Sequence, residues 1–144
     1  MTPETALFEF LEEKALGSAA QSDLAVQATA YQALDSVKTI RIGNAETAIA
    51  VGHGGTVGEW DADITLQVLY RVEDADQSRS YNAARDAATG AAHWAVAEIQ
   101  TDDSLGGRVC GANVYKALRG WAKIGTAAYA VILIPLRINP MSLE

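Results

Sequence analysis

The sequence predicts an α+β domain, in which an antiparallel sheet of about four to five strands carries a long helix and N-terminal helix or helices on one face. Residues 63–72 alternate between apolar and polar side chains, the pattern of a half-buried strand. An alanine-rich stretch at 76–101 then has its apolar residues at helical spacing. Two more strand-like runs follow at 108–119 and 127–139, joined near 120–125.

The length of the chain predicts one domain, 1–144, because 144 residues suffice for a single core. Within it we expect a helical N-terminal segment at 1–38 and the sheet with its long helix at 39–140. We find no internal repeat and no low-complexity stretch that would act as a linker.

The N-terminal segment carries signals for two helices. Thr2 offers a hydroxyl at the N-cap and Pro3 suits the first helical position, while Gly17 ends the helix. A second helix is predicted over 22–35, where Ser22 and Asp23 can cap its first turn. Its apolar stripe consists of Leu24, Ala28, Tyr31 and Leu34. Glycine, asparagine and β-branched residues at 39–51 then indicate a strand or a hairpin.

The long helix and the closing strand have identifiable boundaries. Asp76 or Ser78 is placed to cap the helix, whose buried stripe is mostly alanine, so that the helix lies close to the sheet. Residues 127–139 are apolar on both faces, which predicts an interior strand. Pro135 within that strand predicts a bulge or a position where no N–H is needed.

Charge and cysteine content exclude several classes of function. The formal net charge of −7 repels nucleic acid phosphates and anionic lipids, so we expect no specific nucleic-acid binding and no membrane binding. Cys110 is the single cysteine, which excludes an internal disulfide and a zinc site with several thiolates. No segment has the length of a membrane span or the pattern of a secretory signal, so we expect the chain to be made in the cytoplasm.

The glycine-rich segment 51–58 invites comparison with a phosphate-binding loop. It lacks the lysine of a P-loop and leads into a strand instead of a helix, so we interpret it as a hairpin or long loop. Glu59, Asp61 and Asp63 alternate and would suit a divalent cation, but solvated charges explain them better. His53 and His93 form no ligand pair. We therefore predict no catalytic residue, no cofactor and no metal, and a protein that is not an enzyme.

Three segments between about residues 45 and 140 together resemble a known family. The segment 102–109, DDSLGGRV, joins the alanine-rich helix to the next strand. Residues 58–71 lead from polar residues into an alternating strand that ends in arginine, and residues 129–137 form an apolar closing strand. This series resembles the tail-terminator proteins of long-tailed phages and prophages, which are also called tail-completion or minor tail proteins.

The resemblance implies a structural subunit that forms a homo-oligomeric ring, a hexamer, on the end of the tail tube. Its implied partners are copies of itself, the tail-tube protein and a head-completion or connector protein. The implied location is the virion tail, after assembly in the host cytoplasm. Another ring-forming connector or tube component, or a small ligand-binding α+β domain, remains an alternative.

Six residues are predicted to lie at interfaces. On the resemblance, Asp102, Asp103 and Arg108 are expected to contact neighbouring subunits, and the loop 52–60 is expected to meet the tube or connector. That loop contains His53 and Trp60. Trp121 is an interface candidate because large aromatic residues near turns often anchor protein contacts.

Overall fold

Two α-helices and six strands make up the part of the chain that the structure describes, which confirms the α+β class. The computed structural model describes residues 2–30, 32–51 and 57–140, with the backbone alone for 44–51, 57–61 and 140. In chain order the elements are α1 (Pro3–Leu16), β1 (Ala25–Gln27), β2 (Lys38–Val51), β3 (Val57–Arg71), α2 (Ser78–Thr101), β4 (Val109–Val114), β5 (Leu118–Ile124) and β6 (Ala127–Pro140). The strands form one mixed sheet in the order β1-β2-β3-β6-β4, and β5 also pairs with β6.

Helix α1 begins as the sequence predicts. The Thr2 hydroxyl accepts a hydrogen bond from the Thr5 N–H at 3.2 Å, and proline occupies the first helical position. Leu7, Phe10 and Leu11 are fully buried against the sheet. Burial of this apolar face holds α1 in place, since a helix of this length is marginal alone in water.

The predicted second helix at 22–35 is wrong. A 3₁₀ turn at Ala19–Gln21 is followed by β1, which runs parallel to β2. Polar side chains take over the backbone bonding that a helix would supply: the Gln27 amide donates to the Ala33 carbonyl at 2.8 Å, and the Gln32 side chain accepts from the Ala28 N–H at 2.9 Å. The sheet edge therefore captures this segment and adds a strand that the sequence did not indicate.

Strands β2 and β3 form a long hairpin. Their register runs from Lys38 opposite Tyr70 to Val51 opposite Val57, so the stretch 39–51 is one strand. A shift of register occurs around Gly43, where an added Cβ would lie 2.5 Å from the Thr65 carbonyl oxygen. Only glycine permits this close approach of the two backbones.

The outer part of this hairpin extends past the rest of the sheet. Strand β6 pairs with β3 from Ala62 to Arg71, and β1 pairs with β2 at 39–41. Residues 45–51 and 57–61 therefore pair with each other and with no other described strand. We call these two stretches the hairpin arm. Residues 57–60 of the predicted loop 52–60 belong to β3, and the rest of that loop, 52–56, lies outside the described residues.

Helix α2 covers the centre of the sheet with small residues. Its buried stripe consists of Ala84, Ala88, Ala91, Ala92, Ala95 and Ile99. Below it, rows of opposite residues such as Leu66 with Ile134 form the apolar face of β3 and β6. The helix and its stripe are as predicted. Its cap is not, because the N-cap residue is Gln77, whose side chain makes no capping bond.

The predicted strand 108–119 is two strands. Strand β4 pairs with one end of β6 and β5 with the other, and the gap between them lies opposite Pro135. The Pro135 carbonyl accepts from the Tyr115 N–H at 3.2 Å, while the ring nitrogen has no hydrogen to donate. The predicted absence of a needed N–H at this position is confirmed.

The predicted connection at 120–125 is wrong. Strand β5 continues to Ile124, and a two-residue turn with Gly125 at φ 63° leads directly into β6. Glycine tolerates this left-handed conformation, which allows a tight hairpin. Trp121 therefore lies within a strand at the edge of the sheet.

Candidate assembly surfaces

Strand β5 and the residues just before it expose an unusual amount of apolar surface. Tyr115 is 58% exposed, Leu118 48%, Trp121 51% and Ile124 37%. In the rest of the described chain, Leu16 is the other large apolar residue with comparable exposure. Single exposed apolar residues are normal, whereas a cluster within one strand marks an interaction surface. We call these four residues with β5 the apolar edge.

The apolar edge presents side chains on both faces of the sheet. Trp121 lies opposite Ala130 and Leu118 opposite Leu133, so the two side chains are on opposite faces. The Trp121 ring contacts the Tyr81 ring of α2 edge to face, with centroids 5.4 Å apart. One side of the indole is thus fixed by the helix, and the other side is open.

The outward backbone of β5 has no partner strand among the described residues. Its ladder is formed with β6 on one side, and no described strand lies on the other. An open row of N–H and C=O groups is a template for another chain. The apolar edge therefore offers both backbone hydrogen bonds and apolar contact.

Positive charge accompanies the apolar edge. Lys116, Arg119 and Lys123 are exposed and form no ion pair with the described residues. The segment 115–124 contains no acidic residue, although the whole chain has a net charge of −7. This basic strip would attract an acidic protein surface.

A groove continues the apolar edge toward α2. It has a volume of about 320 Å³ and lies between α2 and the segment 114–117. Ala92, Val96 and Tyr115 form much of its wall, with His93 and Lys116 also lining it. The groove and the edge share Tyr115, so together they form one continuous surface.

The segment 102–109 is a tightly bonded turn between α2 and β4. The Asp102 carboxylate accepts from the Ser104 hydroxyl at 2.6 Å and from the Gly106 N–H at 3.0 Å. These bonds, chiefly the one from Ser104, hold the pKa of the Asp102 carboxyl below its ordinary value. Leu105, Gly106 and Gly107 all have positive φ, and the Leu105 side chain is buried. The conformation of the turn explains this part of the motif.

Arg108 ties the turn to α1. Its guanidinium donates to the Glu13 carboxylate at 2.6 Å and to the Leu105 carbonyl at 2.9 Å, and lies 3.5 Å from a Glu9 oxygen. Its side chain is 18% exposed. Among the described residues Arg108 forms no ion pair with Asp102 or Asp103, because its guanidinium is directed toward α1.

The remaining predicted residues lie at several places. Asp103 is exposed within the turn. Trp60 lies in the hairpin arm opposite Ile49, and its side chain lies outside the description. His53 lies outside the described residues. The interface roles of all six residues remain predictions, and only Trp121 belongs to the apolar edge.

Two polar residues considered from the sequence have plain structural surroundings. Asp63 forms a two-point hydrogen bond with Arg137, at 2.9 and 3.2 Å. This pairing lowers the pKa of the Asp63 carboxyl. Within the described part of the chain, no group of three or more His, Cys, Asp or Glu side chains is placed to hold a metal ion. Cys110 is a free, exposed thiol on β4.

Tyr115, Leu118 and Ile124 were missed by sequence reasoning. They fell within a predicted continuous strand and a predicted turn, so their exposure was not considered. A signal was present, because Arg119 and Lys123 alternate with Leu118, Gly120 and Ala122 in the pattern of a charged edge strand.

Comparison with known proteins identifies a related fold. No family model matches the sequence, and no curated protein matches it. A chain in the solved structure of the virion of a native gene transfer agent particle is similar, with a TM-score of 0.51 and 14% sequence identity. The match covers 95% of this chain and 94% of that chain. At this level of identity the likeness establishes a shared fold over nearly the full length of both chains.

Neither helix in the described residues is long and apolar enough to cross a membrane.

Proposed function

We propose that the protein is a structural component of a phage-like virion and acts as a tail terminator, a ring that caps the tail tube and joins it to the head. The observation that carries this proposal is the apolar edge, where Tyr115, Leu118, Trp121 and Ile124 are exposed beside an open strand. Such a surface is suited to contact with other protein subunits. The virion component is the broader part of the proposal, and the terminator role is the finer part.

The fold likeness supports the broader part. The similar chain belongs to a virion particle, and the two chains align over 95% and 94% of their lengths. Fold alone does not determine function, since one fold serves many purposes. The likeness acquires weight here because it coincides with an assembly surface on this chain. The location that follows is the virion, with the tail as the finer proposal.

The segments quoted above support the finer part. Residues 58–71, 102–109 and 129–137 resemble tail-terminator proteins in the same order along the chain. The acidic character of the chain suits a ring that admits DNA without binding it, because like charges repel. Copies of the chain, the tail-tube protein and a head-completion protein are the proposed partners, and the ring is proposed to be a hexamer. No step of this function requires catalysis.

The ring is tested by native mass spectrometry and negative-stain electron microscopy of the purified chain. A terminator gives discrete closed rings whose subunit number stays constant as concentration increases. Open polymers of increasing length would instead indicate a tube component. A monomer at all concentrations would contradict the proposal and favour the ligand-binding alternative.

The terminator role needs a second assay, in which a polymerising tail-tube protein from the same particle is mixed with the chain. A terminator limits tube length and binds one end, which is visible by electron microscopy. Tubes whose length distribution is unchanged by the chain would refute the terminator role while leaving the virion component in place.

A further inference from the structure

We propose that the hairpin arm of one copy docks on the apolar edge of a neighbouring copy. This inference rests on the proposed ring and names the contact that would build it. The arm, residues 45–51 and 57–61, and the edge, centred on β5, are both open to a further strand in the described sheet, as are the outer edges of β1 and β4. The arm offers a pair of strands with no third strand beside it, and the edge offers an open row of backbone hydrogen-bonding groups.

A partner would add to the stability of the arm. An isolated two-stranded hairpin is marginally stable in water, and three or more strands or an apolar covering are usually required. No third described strand pairs with the arm, since β6 leaves β3 at Ala62 and β1 leaves β2 at Arg41. Its first strand is nonetheless mostly apolar, with the sequence AETAIAV at 45–51. A strand of this composition gains from burial against another apolar surface.

Charge identifies a second copy of the chain as the occupant. The arm carries three acidic residues, Glu46, Glu59 and Asp61, and no basic residue. The segment 115–124 carries three basic residues and no acidic residue, namely Lys116, Arg119 and Lys123. The basic strip is an exception in a chain with a net charge of −7. Opposite charges on two apolar surfaces favour their association and fix its orientation.

The geometry requires two different copies. The arm leaves the sheet at the end where Ala62 lies opposite Ile138, whereas β5 pairs with the other end of β6, at Ala127 to Leu133. From Ile138, at the base of the arm, to Ala130, at the middle of the β5 pairing, the distance along β6 is roughly 25 Å at about 3.3 Å per residue. They also lie on opposite sides of β6 in the sheet. A contact between different surfaces of identical subunits is head to tail, and it forms a ring when the rotation closes.

Two charge-reversed variants of the full chain test the contact. The arm-reversed variant carries Glu46→Lys, Glu59→Lys and Asp61→Lys. The edge-reversed variant carries Lys116→Glu, Arg119→Glu and Lys123→Glu. In each variant alone, like charges face each other at every contact. We expect the concentration for half-assembly to increase roughly 100-fold, because three exposed pairs change from attraction to repulsion.

An equimolar mixture of the two variants is the decisive sample. The reversed arm matches the reversed edge, and the unchanged arm of the second variant matches the unchanged edge of the first. The mixture is therefore expected to assemble at the concentration of the original chain. With one variant isotope-labelled, native mass spectrometry should find equal numbers of both in each ring. Rescue of this kind also shows that neither variant failed through misfolding.

The matched control reverses three exposed acids elsewhere. Glu73→Lys, Asp74→Lys and Asp76→Lys change the net charge as much as the arm-reversed variant does, in the loop before α2. This control is expected to assemble like the original chain.

The outcomes separate the contact from the ring. The arm-to-edge contact would be overturned, and the ring left intact, if the original chain and both variants all form rings at the same concentration. The same conclusion would follow if the original chain forms rings but the mixture of variants does not assemble. An original chain that stays monomeric would overturn both. Loss of assembly in each variant with recovery in the mixture supports both.

Discussion

Replacing Trp121 with alanine separates the surface that it offers to a neighbour from its packing within one chain. The residue is 51% exposed. About half of a tryptophan surface of about 250 Å² is thus open, or roughly 100 to 125 Å². At about 25 cal/mol per Å², covering this area contributes about 2.5 to 3 kcal/mol to each contact. The expected effect of Trp121→Ala is therefore about a 100-fold increase in the dissociation constant.

Tyr81→Leu is the matched control for this substitution. It removes the edge-to-face partner of the Trp121 ring but leaves the exposed face of the indole in place. We expect it to lower the free energy of unfolding by about 1 kcal/mol and to change assembly little. Leu16→Ala is the control for exposed apolar surface outside the apolar edge, since Leu16 is 85% exposed on α1.

Assembly is measured by sedimentation velocity over a range of concentrations, well below the unfolding midpoint of each variant. Urea unfolding gives the free energy of the single chain. If Trp121→Ala assembles like the original chain, or if Tyr81→Leu weakens assembly equally, the apolar edge is not the contact surface.

Three further predictions concern the turn at 102–109 and helix α2. Arg108→Gln should lower the free energy of unfolding by about 1 kcal/mol, because it removes the bond to Glu13. A double-mutant cycle with Glu13→Gln should give a coupling of about 0.5 to 1 kcal/mol. Unchanged stability with lost assembly would instead indicate an inter-subunit role for Arg108. Gly107→Ala should destabilise the fold by about 1 kcal/mol, because the φ angle of Gly107 is 83°. Gly90→Ala should stabilise the fold by about 0.5 to 1 kcal/mol, since an added Cβ in this helical position meets nothing within 4 Å. Equal effects of the two substitutions in thermal unfolding would contradict this prediction. The pKa of the Asp102 carboxyl is lowered in the fold, so its ionised form stabilises the fold at pH values above its ordinary pKa of 3.8. This contribution disappears as the pH falls through the lower pKa of the folded state. The stability difference between the original chain and Asp102→Asn should therefore shrink as the pH is lowered from about 6 to 2, and a constant difference in urea titrations would refute it.

Sequence patterns predicted the elements that bury a regular apolar stripe. Helices α1 and α2 and strand β3 each carry one face of the core, so their periodicity is set by the same burial that holds them in the fold. Pro135 was also informative, because a missing N–H is tolerated only where no ladder bond is required.

Tertiary context decided the elements that the sequence predicted wrongly. The stripe of Leu24, Ala28, Tyr31 and Leu34 has helical spacing in the sequence, yet the open edge of β2 captures Val26 in a short parallel strand. Likewise, the glycines at 120 and 125 look alike in sequence, but only Gly125 has a positive φ and lies in the turn. Pairing with distant residues settles such cases, and local composition does not record it.

The candidate site was predictable only in part. Trp121 was identified because it is a large aromatic residue, but the surface around it depends on which strand lies at the edge. The turn at 102–109 attracted attention through its charges, whereas the structure assigns Asp102 and Arg108 intramolecular bonds. Exposed charge in a motif is therefore weak evidence of an interface until its partners are known.

The most direct test of the account is the assembly state of the purified, unmodified chain, measured by native mass spectrometry from low to high concentration. The account predicts one discrete closed oligomer, a hexamer, that gains no further subunits once formed. A single chain that remains monomeric throughout this range, or a series of oligomers that grows without limit, would contradict it.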